Sequence, residues 1–183
     1  MAKIIQHLRN IQFLAVFATA AASLTGCSSV EYADKTSQAN PLDEFEQDLV
    51  TRLNELRKGA GAPELAVCAS LNKATSAHSD DMRDKNYLSD VAPAPDNSTT
   101  PMRACDAGYT PGCGGIAAMV EFIAKGHGEG DLTLKQWQED PESNVLLTKP
   151  EFVVVGVGRA LGADQPIWTL DMADRTDASC AGM

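Results

Sequence analysis

Apolar residues recur at steps of three and four positions in two stretches of the chain, and each stretch predicts an amphipathic helix. Asn40 and Pro41 are expected to cap and open the first helix, and Gly59 and Gly61 are expected to end it. Its apolar stripe consists of Leu42, Phe45, Leu49, Leu53 and Leu56. The second stripe predicts a helix over residues 69–85 and consists of Leu71, Ala74, Ala77, His78 and Met82.

The second half of the chain carries the pattern of strands and of one further helix. Residues 116–124 are apolar enough to be buried, but their periodicity does not decide between helix and strand. Asp131 is expected to cap a short helix. Residues 152–157 and 167–172 are rich in β-branched and large apolar side chains, which predicts a hairpin. Together these patterns predict one mixed α+β domain.

The first 27 residues have the pattern of an export signal that ends at a cysteine. Lys3 and Arg9 precede an apolar run that is too short to span a bilayer comfortably. The segment Leu24-Thr25-Gly26-Cys27 resembles the lipobox of bacterial lipoproteins, in which the cysteine thiol takes the lipid. An ordinary signal peptide or an uncleaved anchor is the alternative. We expect residues 1–26 to be removed and the lipid on Cys27 to attach the protein to the membrane.

The remaining chain is predicted to have three parts. Residues 27–41 carry the lipidated cysteine and a polar segment without periodicity, which predicts a flexible tether. Residues 42–174 form the folded domain, and residues 175–183 form a C-terminal tail. The protein is thus expected to be exported and held at the membrane of a bacterial cell envelope.

Composition limits the classes of partner. The chain has 183 residues, 44% of them hydrophobic, which suffices for one domain with a sizeable core. Its formal net charge is −10, and all charged residues among the first 26 are basic, so the rest is still more acidic. This balance argues against nucleic-acid binding, because contacts to phosphates need a basic surface. We interpret the excess acid as solvation of an exported surface.

Four cysteines lie beyond Cys27, and an even number in an exported chain indicates disulfides. Three pairings are open for them. Cys105 and Cys113 flank a turn-rich segment, which favours a local bridge and leaves Cys68 to meet Cys180. Zinc binding is disfavoured because the chain contains no CxxC pair.

Several blocks, in order along the chain, match one known family. The blocks are LNELR with GAPEL (53–57 and 61–65), AHSDDM with NYLS (77–82 and 86–89), PEFVVVGVG (150–158) and IWT (167–169). They resemble the CAP superfamily, whose SCP-like domain is shared by cysteine-rich secretory proteins, antigen 5 and plant pathogenesis-related proteins. The resemblance covers residues 42–174. It implies a three-layer α–β–α sandwich with a central, mostly antiparallel sheet.

The resemblance also implies a cleft that, in many family members, two histidines and acidic residues line so that it can hold a divalent metal. This chain departs from that ligand set. Asp90 stands where the first histidine is expected, Ser143 stands at the second, and the family block GENIA aligns with residues 113–117, which puts Gly114 at its glutamate. Too few ligands remain, so we expect no metal and no cofactor. A shifted loop alignment would offer His127 or Glu129 instead.

His78 lies on the apolar face of the second predicted helix, and a buried, hydrogen-bonded structural role is expected for it. With the cleft ligands lost, the sequence favours a non-catalytic binding or interaction module of the envelope. Its partner would be an apolar small ligand or another envelope protein. An envelope hydrolase built on Asp90, Ser143 and His78 is the alternative, although the parts fit a triad poorly. A structural envelope protein is a third interpretation that the sequence cannot separate from the first.

Overall fold

The computed structural model describes residues 42–162 and 165–180, so the predicted signal, Cys27, the tether and the end of the tail lie outside the described residues. The helices are α1 (Glu44–Gly59), α2 (Ala69–Lys85), α3 (Thr100–Ala107), α4 (Gly130–Glu139) and α5 (Pro141–Leu147). The strands are β1 (Ala66–Val67), β2 (Met119–Lys125), β3 (Val154–Ala160) and β4 (Ile167–Ala173). Short 3₁₀ helices span Thr110–Gly115 and Ala178–Cys180. Within these described ranges, no helix has both the length and the apolar composition needed to cross a membrane.

The four strands form one sheet in the order β1-β3-β4-β2. Strand β1 runs parallel to β3, whereas β3–β4 and β4–β2 are antiparallel. Helices α1, α4 and α5 lie on one face of the sheet, and α2 and α3 lie on the other. The predicted three-layer sandwich with a mostly antiparallel sheet is therefore confirmed. So are the β3–β4 hairpin and the bounds of α2, and residues 116–124 contribute a strand, β2, and not a helix.

The two faces of the sheet bury different kinds of residue, because side chains alternate along each strand. The α1–α4–α5 face packs the main apolar core, which includes Leu49, Leu53, Phe122, Trp137, Val155, Val157, Trp168 and Leu170. On the α2 face, Gly156 and Gly158 let α2 approach β3 so closely that a Cβ would overlap the backbone of residues 71–76. This face also receives Glu121 from β2 and Asp171 from β4, so buried polar groups collect beneath α2 and α3.

The start of α1 differs from the prediction. The N-cap is Asp43, whose carboxylate accepts hydrogen bonds from the backbone N–H groups of Phe45 and Glu46 at 2.9 and 2.8 Å. The Glu46 carboxylate accepts in return from the Asp43 N–H at 2.8 Å, which completes a capping box. These bonds satisfy three backbone N–H groups and put the N-cap at Asp43, three residues beyond Asn40, so the prediction that Asn40 and Pro41 cap and open the helix was wrong.

The start of α4 also differs from the prediction. Glu129 is the N-cap residue, and Asp131 lies inside the first turn instead of capping it. Gly130 opens the helix against α1, where an added Cβ would lie 2.6 Å from the Leu49 nitrogen and 2.7 Å from the Phe45 oxygen. Close packing of α4 on α1 therefore sets this helix start.

Both favoured disulfides are present. Cys105 bonds Cys113 between α3 and the first 3₁₀ helix, and Cys68 bonds Cys180 across 112 positions of sequence. The second bond joins the residue before α2 to the last described residue of the chain. The predicted pairing is confirmed.

Candidate functional site

Four ionisable side chains from four elements meet beneath α2 and α3, and we call them the polar cluster. They are Glu121 of β2, Asp171 of β4, Arg103 of α3 and His78 of α2. Glu121 and Asp171 are directly opposite each other in the antiparallel β2–β4 pair, so their carboxyl groups project from the same face of the sheet. The side chains of Glu121 and His78 are 2% and 1% exposed. The cluster is therefore buried in the interior of the domain.

Arg103 is the cation of the cluster. Its Nη2 donates to both Glu121 oxygens, at 2.7 and 3.0 Å. The same guanidinium donates to the backbone carbonyls of Ser98 at 2.8 Å and of Asp90 at 2.9 Å. It thereby ties the loop between α2 and α3 to the buried carboxylate.

The two carboxyl groups titrate together. Burial raises the pKa of Glu121, and the charge and hydrogen bonds of Arg103 oppose that rise. Burial and the neighbouring Glu121 raise the pKa of Asp171 well above its usual range. The two carboxyl groups are buried and face each other on neighbouring strands, so ionising both would place two like charges together in the interior, and one of them keeps its proton. Within the described part of the chain, Asp171 Oδ1 has no hydrogen-bond donor.

His78 stands at the inner wall of the cluster. Its Nε2 lies 3.0 Å from the Ser89 carbonyl oxygen and 3.6 Å from Glu121 Oε2. The carbonyl is an acceptor, so Nε2 carries the hydrogen and donates to it. Burial first, and the charge of Arg103 second, lower the pKa of His78 to about 4. The imidazole is therefore neutral at physiological pH.

A second hydrogen-bonded group closes the outer side of His78. The Tyr87 hydroxyl donates to Asp81 Oδ2 at 2.6 Å, and Lys85 Nζ lies 2.6 Å from Asp81 Oδ1. Partial burial pushes the pKa of Asp81 upward, but these two partners outweigh it and hold the pKa below its usual value. Burial, followed by the bond to Asp81, raises the pKa of the Tyr87 phenol.

A cavity of about 330 Å³ opens beside the polar cluster, between α2 and α3. Its charged lining residues are Lys73, Asp81, Asp96, Arg103 and Asp106, and its small ones are Ala74, Ala77, Ser98 and Ala107. His78 also lines it. The cavity wall thus carries five charged side chains, three of which are carboxylates.

Of the four predicted cleft positions, His78 lies in the polar cluster, but the structure does not bring Asp90, Gly114 and Ser143 together there. Asp90 is exposed in the loop after α2, and it contributes its backbone carbonyl to Arg103. Gly114 is exposed in the first 3₁₀ helix with a positive φ of 70°. Ser143 lies in the first turn of α5, on the opposite face of the sheet, and its N–H donates to Asp140.

The two alternative ligand candidates also lie apart from the cluster. His127 is exposed, and its carbonyl accepts from the Trp168 indole at 2.7 Å. Glu129 is exposed at the start of α4. Both side chains face solvent, whereas Glu121 and Asp171 are buried, so the described structure places neither of them in the cleft.

The residues of the cleft do not fit a divalent metal. In residues 42–162 and 165–180, no three His, Cys, Asp or Glu side chains converge in a way that could hold one. The carboxylate that would bind a cation, Glu121, is already bonded through both oxygens to a guanidinium. The donor set that remains is a neutral imidazole, bonded to a carbonyl, and a buried acid. We derive no chemistry through a metal here.

Sequence reasoning missed Glu121, Arg103 and Asp171 as members of the site. A signal for Glu121 was available, because residues 120–124 (VEFIA) match the block GENIA at three positions, whereas residues 113–117 (CGGIA) match it at two. Asp171 had no comparable signal, since a lone acid in an apolar strand becomes informative only once its cross-strand partner is known.

A model described as the cysteine-rich secretory protein family matches residues 50–172 of the chain. The uncharacterized protein YkwD of Bacillus subtilis strain 168 is 28% identical over 134 residues, which is 73% of this chain and 49% of that protein. The match thus spans about half the length of this relative.

Solved structures share the fold at low identity. An outer surface protein of Borrelia burgdorferi superposes with a TM-score of 0.63 and 16% identity, covering 76% of this chain and 100% of that one. An extracellular protein with an SCP domain from Bacillus anthracis superposes with a TM-score of 0.59 and 23% identity, covering 74% of this chain and 45% of that one. At these sequence identities the similarity shows only that the fold is shared.

Proposed function

Because this chain belongs to the cysteine-rich secretory protein (CAP) family, we propose that it is an exported, membrane-anchored lipoprotein whose domain binds a ligand or partner without catalysing a reaction. The observation that carries the proposal is the state of the cleft. Its carboxylate is bonded to Arg103 and its imidazole is neutral and bonded to a backbone carbonyl, so neither is arranged to activate a nucleophile.

The hydrolase alternative draws no support from the geometry. A serine hydrolase needs its nucleophile and base within hydrogen-bond reach of each other. Ser143 lies in α5 on one face of the sheet, and His78 lies in α2 on the other. Asp90 faces solvent and gives a carbonyl to Arg103, which leaves no triad among the predicted parts.

Export and anchoring rest on the N-terminal pattern and on the two disulfides. Disulfides persist in oxidising compartments, which supports passage across the cell membrane. Two similar folds come from an outer surface protein and an extracellular protein, as their names state. The Leu24-Thr25-Gly26-Cys27 order supplies the proposed lipid attachment point.

The lining of the cavity between α2 and α3 bears on the class of ligand. Five of its ten side chains are Lys, Arg or Asp, and only three are alanines. A sterol or fatty acid would desolvate these charged side chains without offering them any hydrogen bond, which is unfavourable. The charged side chains of the lining therefore favour a polar ligand, or a polar segment of an envelope protein, over the apolar small ligand that was one of the two partners considered from the sequence.

The anchor is tested by fractionating cells that produce the wild type and Cys27→Ser. We expect the wild type in the membrane fraction, cleaved before Cys27 and carrying acyl mass, because two or more acyl chains make a stable anchor. Cys27→Ser should move to the soluble fraction or keep its signal. Ser29→Ala, two residues away, serves as the control and should stay with the membrane. Wild-type protein that is uncleaved, or soluble, would contradict the anchor.

The binding role is tested by native and extractive mass spectrometry of the purified protein. Ala77 lines the cavity and is exposed, so Ala77→Trp should fill the cavity without disturbing the core. We expect a polar compound, or a captured polar peptide, to accompany the wild type and to be lost from Ala77→Trp. Ala60→Trp, at the exposed end of α1 on the other face, should keep it. A co-purifying lipid would contradict the polar class, and equal retention by Ala77→Trp would exclude this cavity.

A further inference from the structure

The polar cluster contains two carboxyl groups and a single guanidinium, so its charge balance depends on where one proton resides. We propose that Arg103 is the built-in cation of this cleft, that it keeps Glu121 as the one ionised member of a proton-sharing Glu121–Asp171 pair, and that it thereby takes the role that a divalent metal has in other family members. This proposal goes beyond the proposed function and does not depend on export, on the anchor or on any ligand.

The contacts of Arg103 are those of a fixed counter-charge. Its side chain is 11% exposed, and the carboxylate to which it donates is 2% exposed. Hydrogen bonds in which both groups are ionised are the strong ones, and burial strengthens them further. The Ser98 and Asp90 carbonyls hold the guanidinium from the loop side at 2.8 and 2.9 Å. A metal could bind the Glu121 oxygens only after displacing the guanidinium from them.

The geometry also locates the proton. Glu121 and Asp171 face each other across β2 and β4, and two buried carboxyl groups in this position cannot both carry a charge without strong repulsion, so one of them holds a proton. Arg103 donates to Glu121, which favours the ionised form on that side. Asp171 is fully buried and its Oδ1 finds no donor among the described residues, a position that a neutral acid tolerates far better than a carboxylate.

The groups around Glu121 leave the buried cluster with one positive charge, on Arg103, and one negative charge, on Glu121. The groups that face Glu121 are Asp171 from β4, Arg103 from α3, His78 from α2 and Asp90 from the loop after α2. His78 is neutral near pH 7, because burial and Arg103 lower its pKa to about 4. Asp90 is exposed, so solvent screens its charge. The buried part of the cluster is then electrically neutral.

The proposal is tested by measuring unfolding equilibria of the full domain in urea. Arg103→Met should raise the unfolding constant at pH 8 by roughly 100-fold, because it leaves a buried carboxylate without its partner. Asp171→Asn should raise it by less than about tenfold, since its amide N–H can replace the acid O–H toward Glu121. Arg52→Met, at an exposed ion pair on α1, is the matched control and should change the constant by less than about threefold.

The decisive readout is the pH dependence, which a purely steric role of Arg103 would not alter. Without the guanidinium, the pKa of Glu121 should rise further, so the folded variant takes up a proton on acidification and regains stability. The ratio of the unfolding constants of Arg103→Met and wild type should fall by about tenfold or more from pH 8 to pH 5. In the double variant Arg103→Met with Glu121→Gln, only His78, whose pKa Arg103 also lowers, gains affinity for a proton, so the ratio should fall by much less than for Arg103→Met alone.

Three results would overturn the proposal. One is a ratio for Arg103→Met that does not vary with pH, and another is an Asp171→Asn variant as damaged as Arg103→Met. The third is a rise in the wild-type unfolding midpoint on adding zinc or calcium, which would show that the cluster takes a metal after all. If Arg103→Met does not fold, Arg103→Lys keeps the charge and should retain the wild-type pH profile, and a changed profile would count against the proposal.

Discussion

His78 shows how burial sets the protonation state of one side chain. The ring is 1% exposed, and its two nearby polar partners at Nε2 are a backbone carbonyl and a carboxylate that Arg103 already neutralises. Desolvation therefore outweighs the attraction of the carboxylate and lowers the pKa to about 4. A histidine on an apolar helix face was expected to be structural, and the position of this one agrees with that interpretation.

We predict that His78 makes the protein lose stability on mild acidification. The unfolded chain protonates this histidine near pH 6.5, whereas the folded chain resists protonation down to about pH 4. The contribution of neutral His78 to the free energy of unfolding is therefore fully present above pH 6.5 and is lost as the pH falls to 4. The expected loss is on the order of 2 kcal/mol, after allowing for solvent screening of the shift. Urea unfolding of the wild type and His78→Gln between pH 4 and 7 measures it.

The difference in pH profile between the wild type and His78→Gln separates the effect of His78 from that of the buried carboxyl groups. Glu121 and Asp171 have raised pKa values, so on their own they would increase stability on acidification, in the opposite direction. His127→Gln is the matched control, because His127 is exposed and should leave the profile of the wild type unchanged. An identical pH profile for His78→Gln and wild type would mean that His78 is not held neutral in the folded state.

At the scale of elements, the sequence predicted a helix or strand correctly wherever a single apolar pattern determined it. Helix α2 has the predicted bounds because its stripe is complete and Asn86, in a left-handed conformation, ends it. The β3–β4 hairpin was equally predictable from its β-branched runs. Strand β2 was ambiguous, because both of its faces carry apolar side chains, Phe122 toward the main core and Met119 toward α2, which obscures the period-2 alternation.

The short helices α3 and α5 were missed for a different reason. Eight and seven residues are too few to show a stripe, and each helix buries a single side chain, Ala104 and Leu147 respectively. Local signals did exist at α5, where Asp140 accepts from the Ser143 N–H and Pro141 occupies the first turn. Helix α3 depends on its surroundings, namely the disulfide at Cys105 and the contacts of Arg103, which pattern alone does not reveal.

At the scale of the whole molecule, the candidate site is a product of topology. Its members lie at positions 78, 103, 121 and 171, and they meet because β4 pairs with β2 in a register that opposes Glu121 and Asp171. A shift of one residue would turn one carboxyl to the other face of the sheet. Family resemblance predicted a cleft, but assigned Asp90, Gly114 and Ser143 to it and did not predict that an arginine from α3 would bond a buried glutamate.

The disulfide between Cys68 and Cys180 acts at the same scale, because it links the first strand region to the end of the described chain over 112 positions. A crosslink stabilises mainly by restricting the unfolded chain, and more so for a longer loop. Replacing both cysteines by alanine should therefore cost about 5 kcal/mol. Replacing Cys105 and Cys113, which are eight positions apart, should cost about half as much.

Urea unfolding of the two double variants, each against the oxidised wild type, compares the bonds directly. Cys68 is fully buried and Cys180 nearly so, hence their removal also leaves a small cavity in the core beneath α2, which adds to the loss. The bond between Cys105 and Cys113 instead fixes a local turn beside α3, close to the arginine of the cluster. A larger loss from the local bond than from the long-range one would show that this turn, by positioning α3 and Arg103, contributes more to stability than chain entropy does.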